Sequence, residues 1–290
     1  MCRLMRACET CLPFISYYFM KQYILSNITI LSILLFLSAC DKNDVSPDPR
    51  TGLTKVSEGF APGAAAKVEI FTNTANITTG YQKFWFLLTD SITGKYIDNS
   101  QITLSPMMDM GTMKHAAPFE NPASQNAVGH LFNGAVFFTM PNMGGSWALT
   151  LNVQNKVNGK VGNLSIPLTV EEPAQKRTLS FTSAVDNTTK YFVSLVEPAK
   201  PKVGINDLEL VVYKKQSMMA FPADSALSIS FEPEMPAMGH GSPNNINPAH
   251  NGLGHYKGKV NFTMTGLWRL HFTLKAGDAI AKTDSLDIEF

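Results

Sequence analysis

Apolar and polar residues alternate along much of the C-terminal third of the chain. Leu227, Ile229 and Phe231 alternate with Ser228, Ser230 and Glu232. Val260, Phe262 and Met264 alternate with Asn261 and Thr263, and Trp268, Leu270, Phe272 and Leu274 alternate with Arg269, His271 and Thr273. A period of two puts the apolar set on one face of an extended chain, so these segments are expected to be half-buried strands. No comparable stretch shows a 3.6-residue period. Short strands separated by Pro, Gly and Asn predict an all-β chain built as a β-sandwich.

The pattern occurs twice. Met110-x-x-Met113-x-His115 recurs 125 positions later as Met235-x-x-Met238-x-His240, and His130 recurs at the same offset as His255. Phe138-Thr139-Met140 matches Phe262-Thr263-Met264, and Trp147 matches Trp268. Gly80 before Phe84-Trp85-Phe86-Leu87-Leu88 matches Gly204 before Leu208-Glu209-Leu210-Val211-Val212, and Leu164–Leu168 is aligned with Leu286–Phe290. Two homologous domains of about 110 residues follow, a period too long for a solenoid. If Thr265-Gly266-Leu267 is a three-residue hairpin loop, Met264 faces Trp268 and Phe262 faces Leu270 on one core face. Met264 and Trp268, with Met140 and Trp147, are therefore expected in the core.

The N-terminus reads as an address. Lys21 precedes an apolar run from Ile28 to Phe36, which ends in Leu37-Ser38-Ala39-Cys40 before Asp41-Lys42-Asn43-Asp44. The run is short for a membrane span and ends in small residues, which is the pattern of a secretory signal. Leu-Ser-Ala-Cys resembles the bacterial lipobox, which implies that Cys40 is lipidated and begins the mature protein. Residues 1–19 fit badly before such a signal, and translation is expected to start at Met20. Residues 41–66, rich in Pro, Gly, Ala and Ser, are expected to be a flexible tether. The first sandwich is expected at 67–171, a linker at 172–187 and the second sandwich at 188–290.

Charge and cysteine usage narrow the chemistry. Charged residues are 16% of the 290-residue chain and the net charge is +1, which argues against a nucleic-acid partner. The 44% apolar content is enough for a core and excludes intrinsic disorder. All four cysteines lie at or before position 40, so the mature body has no disulfide, thiolate nucleophile or Cys metal ligand. No Gly-rich phosphate loop, His-Glu-x-x-His or Gly-x-Ser-x-Gly is present, and no enzyme activity is expected.

Methionine and histidine remain. Thioether sulfur is soft and suits Cu(I), and imidazole accepts either copper oxidation state. A loop leaving and re-entering the same sandwich end would bring the two His of each unit together. The expected metal ligands are Met110, Met113, His115 and His130 in the first unit, and Met235, Met238, His240 and His255 in the second. The bland alternative is that Met fills irregular gaps at the sandwich ends.

Met235-Pro236-Ala237-Met238-Gly239-His240, then Gly254 with Tyr256, then Met264-Thr265-Gly266 with Trp268 and Leu270, resembles the YtkA-like domain of bacterial exported proteins. The likeness covers roughly residues 205–275. The first unit departs from it, with Gly111-Thr112 in place of Pro236-Ala237 and a longer turn, Pro141 to Ser146, before Trp147. The resemblance implies an immunoglobulin-like sandwich, exported or membrane-attached, associated with copper or heavy-metal handling. The expected whole is a pair of tandem immunoglobulin-like domains in the bacterial envelope, attached to a membrane through Cys40. It would bind copper and serve an efflux or copper-assembly protein. The alternative function is a structural or interaction lipoprotein that binds no metal.

Overall fold

The computed structural model describes residues 47–290; Cys40, the signal and the expected start at Met20 lie outside the described residues. The first unit has long strands β1 (Thr54–Ala61), β2 (Ala66–Thr72), β3 (Gly80–Asp90), β4 (Ser100–Asp109), β5 (Leu131–Phe138), β6 (Ser146–Asn155) and β7 (Val161–Leu168). The second repeats them as β8 (Thr178–Thr182), β9 (Lys190–Glu197), β10 (Gly204–Lys214), β11 (Leu227–Met235), β12 (His255–Phe262), β13 (Leu267–Ala276) and β14 (Ala279–Glu289). Each unit stacks a five-stranded sheet on a four-stranded one. The five-stranded orders are β1-β2-β3-β5 and β8-β9-β10-β12, each edged by a short strand, Phe119–Glu120 or Ile246–His250. The four-stranded orders are β7-β6-β4 and β14-β13-β11, edged by Lys114–Ala116 and His240–Gly241. The chain is thus two immunoglobulin-like β-sandwiches of identical strand order.

The alternating residues fill the cores. Leu227, Ile229 and Phe231 of β11 meet Trp268, Leu270, Phe272 and Leu274 of β13, and Leu208, Leu210, Val260 and Phe262 face them from the other sheet. The first core repeats this with Leu104, Trp147, Leu149 and Leu151 against Phe84, Phe86, Val136 and Phe138. Gly80 and Gly204, the matched glycines, open β3 and β10 at φ +105° and +100°, which side chains other than hydrogen rarely allow. The closing strands correspond two residues away from the sequence alignment. Trp147 pairs with Leu168 and Trp268 with Ile288, so Leu168 corresponds to Ile288 rather than Phe290.

Further expectations change. Residues 54–61, placed in the tether, form β1, which pairs along β2 from Thr54↔Thr72 to Ala61↔Ala66. Residues 178–182, placed in the linker, form β8 against β9. The expected hairpin does not exist, because β12 pairs with β10 while β13 pairs with β11 and β14. Residues 263–266 instead cross from one sheet to the other, and Phe262 meets Trp268 across the core with ring centroids 5.5 Å apart. Trp147 and Trp268 are fully buried as expected, Met140 is half-buried against the core, and Met264 is exposed.

Several strands have no exposed face at mid-length. Residues 191–196 of β9, 210–213 of β10 and 135–138 of β5 are buried consecutively. One set of side chains fills the sandwich cores. The other set, Phe137, Phe192, Val196, Val211 and Tyr213, packs with Tyr81 and Phe221 in a third cluster between the two sandwiches. The five-stranded sheets therefore meet across a seam.

Candidate functional site

Each sandwich has one tip organised by its tryptophan. Trp147 donates its Nε1–H to the Met140 carbonyl at 2.9 Å, and Trp268 donates to the Met264 carbonyl at 3.0 Å. His115 lies edge-on to Trp147 with centroids 5.5 Å apart, and His240 lies edge-on to Trp268 at 5.9 Å. The repeated Met-x-x-Met-x-His motif places these rings. Its first Met ends or follows the long strand, the chain turns, and the His returns as a short edge strand. His115 pairs with Met108, and His240 pairs with Met235. In the second unit the turn is closed by Met238 and Gly239 N–H groups on the Met235 carbonyl.

Both tip histidines are poised alike. His115 Nδ1 lies 3.0 Å from the Ala116 carbonyl oxygen, and His240 Nδ1 lies 2.9 Å from that of Gly241. A carbonyl only accepts, so Nδ1 carries the proton, and in the neutral ring Nε2 keeps its lone pair. Metal-ligating histidines are held in this way, with the second nitrogen tied to a carbonyl. Met238 is 62% exposed beside His240, and Met264 is 39% exposed beside Trp268. Met235 is buried, so its sulfur belongs to the core cap. In the first unit Met110 packs on the core and Met113 is exposed.

His130 and His255 do not join these tips. His255 opens β12 and Phe262 at its other end touches Trp268, so seven residues of strand separate His255 from the tip, roughly 23 Å. The expected loop does not return to the end it left. Residues 246–250 instead run as an edge strand along β12, carrying the chain down the sandwich. Phe119–Glu120 does the same beside β5, and His130 sits just before β5, also at the end remote from Trp147. The four-ligand sets proposed from spacing are therefore not assembled. Among the described residues no group of three or more His, Cys, Asp or Glu is placed to hold a metal.

Each displaced histidine has another occupation. His130, at φ +67°, stacks on Tyr96 at 4.1 Å and shares Nδ1 with the Asp98 carboxylate at 2.9 and 3.0 Å. His255 sits at the seam with Nδ1 2.8 Å from Glu209 and Nε2 2.8 Å from Glu120. Carboxylates accept, so the ring carries both protons. Burial alone would lower its pKa, but hydrogen bonds to Glu120 and Glu209 outweigh burial and push it up to about 9. An imidazolium has no lone pair for a metal.

Glu120 of the first sandwich is the centre of this clamp. It accepts from Tyr81 and Tyr213 hydroxyls, each at 2.8 Å, as well as from His255. Burial would raise the Glu120 and Glu209 carboxyl pKa values, but the His255 hydrogen bonds dominate and hold both below the usual range. Burial, reinforced by Glu120, pushes both phenols further up, so they remain donors. Spacing within one repeat could not find this group, because its members come from both units. The available signal was the consecutive apolar run Leu210-Val211-Val212-Tyr213, too long for a strand with one solvated face.

No curated protein matches the chain. Among solved structures, domains 5–6 of the S-layer protein SbsC are 10% identical over 82% of this chain and 97% of that one, with a TM-score of 0.28. The bacterial integrin-binding protein invasin is 12% identical over 78% of this chain and 39% of that one, at 0.24. The D00-D0 domain of intimin is 12% identical over 77% of this chain and all of that one, at 0.23. The YtkA-like family matches residues 185–273, the stretch holding β9 to most of β13 and the open tip at His240. The second sandwich of this chain is a YtkA-like domain.

Proposed function

We propose that this protein is a lipid-anchored module of the bacterial envelope that binds Cu(I) at the tip of its second sandwich. The observation that carries the reading is His240: its Nδ1 is tied to the Gly241 carbonyl, which leaves Nε2 as an acceptor, and exposed Met238 lies two residues before it, while exposed Met264 holds through its carbonyl the Trp268 on whose edge His240 lies. One imidazole and two thioethers form a soft, neutral donor set that fits Cu(I) and needs no thiol. The exposed sulfur of Met238 makes the ion accessible to a partner, which suits buffering or hand-off to an efflux or copper-assembly protein. Cys40 is the lipid attachment in this reading.

Anaerobic Cu(I) titration of the mature protein against a chromogenic chelator tests this. One equivalent is expected at the second tip, and His240→Ala with Met238→Ala removes it. Unchanged stoichiometry in the double variant rules the site out. Labelled palmitate incorporation that is abolished by Cys40→Ser tests the anchor.

A second reading is a rigid spacer or adhesive module that binds no metal. It is favoured by the seam, where a clamp and an aromatic cluster join the two sandwiches. Absence of Cu(I) binding in the wild type would select it.

A further inference from the structure

The first tip opens into a cavity of about 260 Å³ shared by both sandwiches. A turn of the second sandwich at 216–220 reaches over it, and the Met218 carbonyl accepts the Ala116 N–H at 2.9 Å beside His115. The polar wall consists of His115 and Thr139 on one side and Ser180, Lys190 and Lys215 on the other. The second sandwich's side is also aromatic: Phe192 and Phe221 lie edge to face, 5.7 Å apart.

The charge in this wall is one-sided. The Lys190 ammonium sits 5.3 Å from the Phe192 ring centroid, at the cavity surface. The Lys215 N–H donates to the Lys190 carbonyl at 2.8 Å, so the two lysines leave adjacent backbone positions. No carboxylate lines the cavity, and neither lysine forms an ion pair among the described residues. Other lysines of the second sandwich sit on acids, as Lys214 does on Asp224 and Lys259 on Asp207. Two neighbouring unpaired ammoniums repel a cation and attract an anion, most strongly in a cleft with low-dielectric walls.

We infer that this cleft binds a small organic carboxylate, with the anion between Lys190 and Lys215 and an apolar body against Phe192 and Phe221. Thr139 and Ser180 supply hydroxyl donors to the carboxylate. The volume falls just below that of sites for drug-sized ligands, which limits the body to about one ring or a short chain. A bare inorganic anion would leave the aromatic wall wet. The inference does not depend on copper binding at the other tip.

Phenylacetate, its neutral analogue phenylacetamide and inorganic phosphate, titrated into the mature protein by calorimetry and by amide NMR, test it. Phenylacetate is expected to bind and to shift the amides of Phe192 and Ala116, and phenylacetamide is expected to bind at least tenfold more weakly. Lys190→Met with Lys215→Met should weaken phenylacetate at least tenfold, while Met238→Ala leaves it unchanged. The lysine variant keeps its fold if its melting temperature holds. Equal binding of the acid and the amide, or of the wild type and the lysine variant, overturns the proposal. So does binding of phosphate as tight as that of phenylacetate, or no binding of phenylacetate.

Discussion

The two tips share a scaffold and differ in what surrounds it. Each has a buried Trp bonded to a Met carbonyl and a His lying on its edge with Nδ1 tied to the next carbonyl. His240 is half-buried with exposed Met238 two residues before it, whereas His115 is only 7% exposed, under a roof whose cleft is also lined by two unpaired lysines. Both tips thus have the frame that orients an imidazole. The seam covers one of them and leaves the other open. A cation can approach the open tip, while the roofed tip favours an anion. The same sequence motif accordingly does not license the same function twice.

The largest expected effect tests the shared frame. Trp147→Ala and Trp268→Ala each empty a fully buried site and should each cost about 3–5 kcal/mol of unfolding free energy. Chemical denaturation of each variant measures this. Near-equal losses support one scaffold used twice. A difference beyond about 2 kcal/mol would show that the two frames carry unequal loads and are not equivalent.

Next comes the seam that makes the tips different. The folded pKa of His255 is raised from 6.5 to about 9, so its contribution is fully present below pH 6.5 and is lost as pH rises through about 9. The size is about 3 kcal/mol at most, since a tenfold change in proton affinity is worth about 1.4 kcal/mol. Glu120 and Glu209, held low, act in the opposite direction: their contribution is present above the usual carboxylate range and is lost as pH falls through their lowered values. Unfolding free energy should therefore fall between about pH 7 and pH 10, and Glu120→Gln should flatten that fall. The protection factor of the Ala116 amide, whose partner is the roof carbonyl of Met218, should fall over the same range once the intrinsic base-catalysed rate is divided out. If the slope is unchanged in Glu120→Gln, the clamp does not hold the roof.

The sequence carried the sandwiches further than it carried the site. Alternation in β11 and β13 gave inward faces correctly, because a half-solvated strand must alternate. Alternation could not tell a hairpin from a crossing between sheets, since both point Phe262 and Trp268 into the core. β1 was missed because Thr54–Ala61 buries little; it is held by pairing to β2 rather than by an apolar face. Repeat spacing singled out His115 and His240, but not the carbonyl tether of either ring. It misassigned His130 and His255, because spacing along the chain does not say whether an intervening segment loops back or runs on as a strand. Met264, Glu120 and the lysines needed contacts between elements far apart in sequence.

The smallest effect separates the tips most directly. His115→Ala removes a buried ring packed on Trp147 and opens space beneath the roof, so it should cost about 1–2 kcal/mol. His240→Ala removes a ring whose contact with Trp268 lies at the surface, and it should fall within about 0.5 kcal/mol of wild type. The same substitution at matched positions holds backbone and motif constant, so the difference reports what the roof adds. Denaturant midpoints at pH 7 measure both. Equal costs would mean that the roof rests lightly on the first tip, and the contrast in exposure between the two histidines would then say little about how their chemistry diverged.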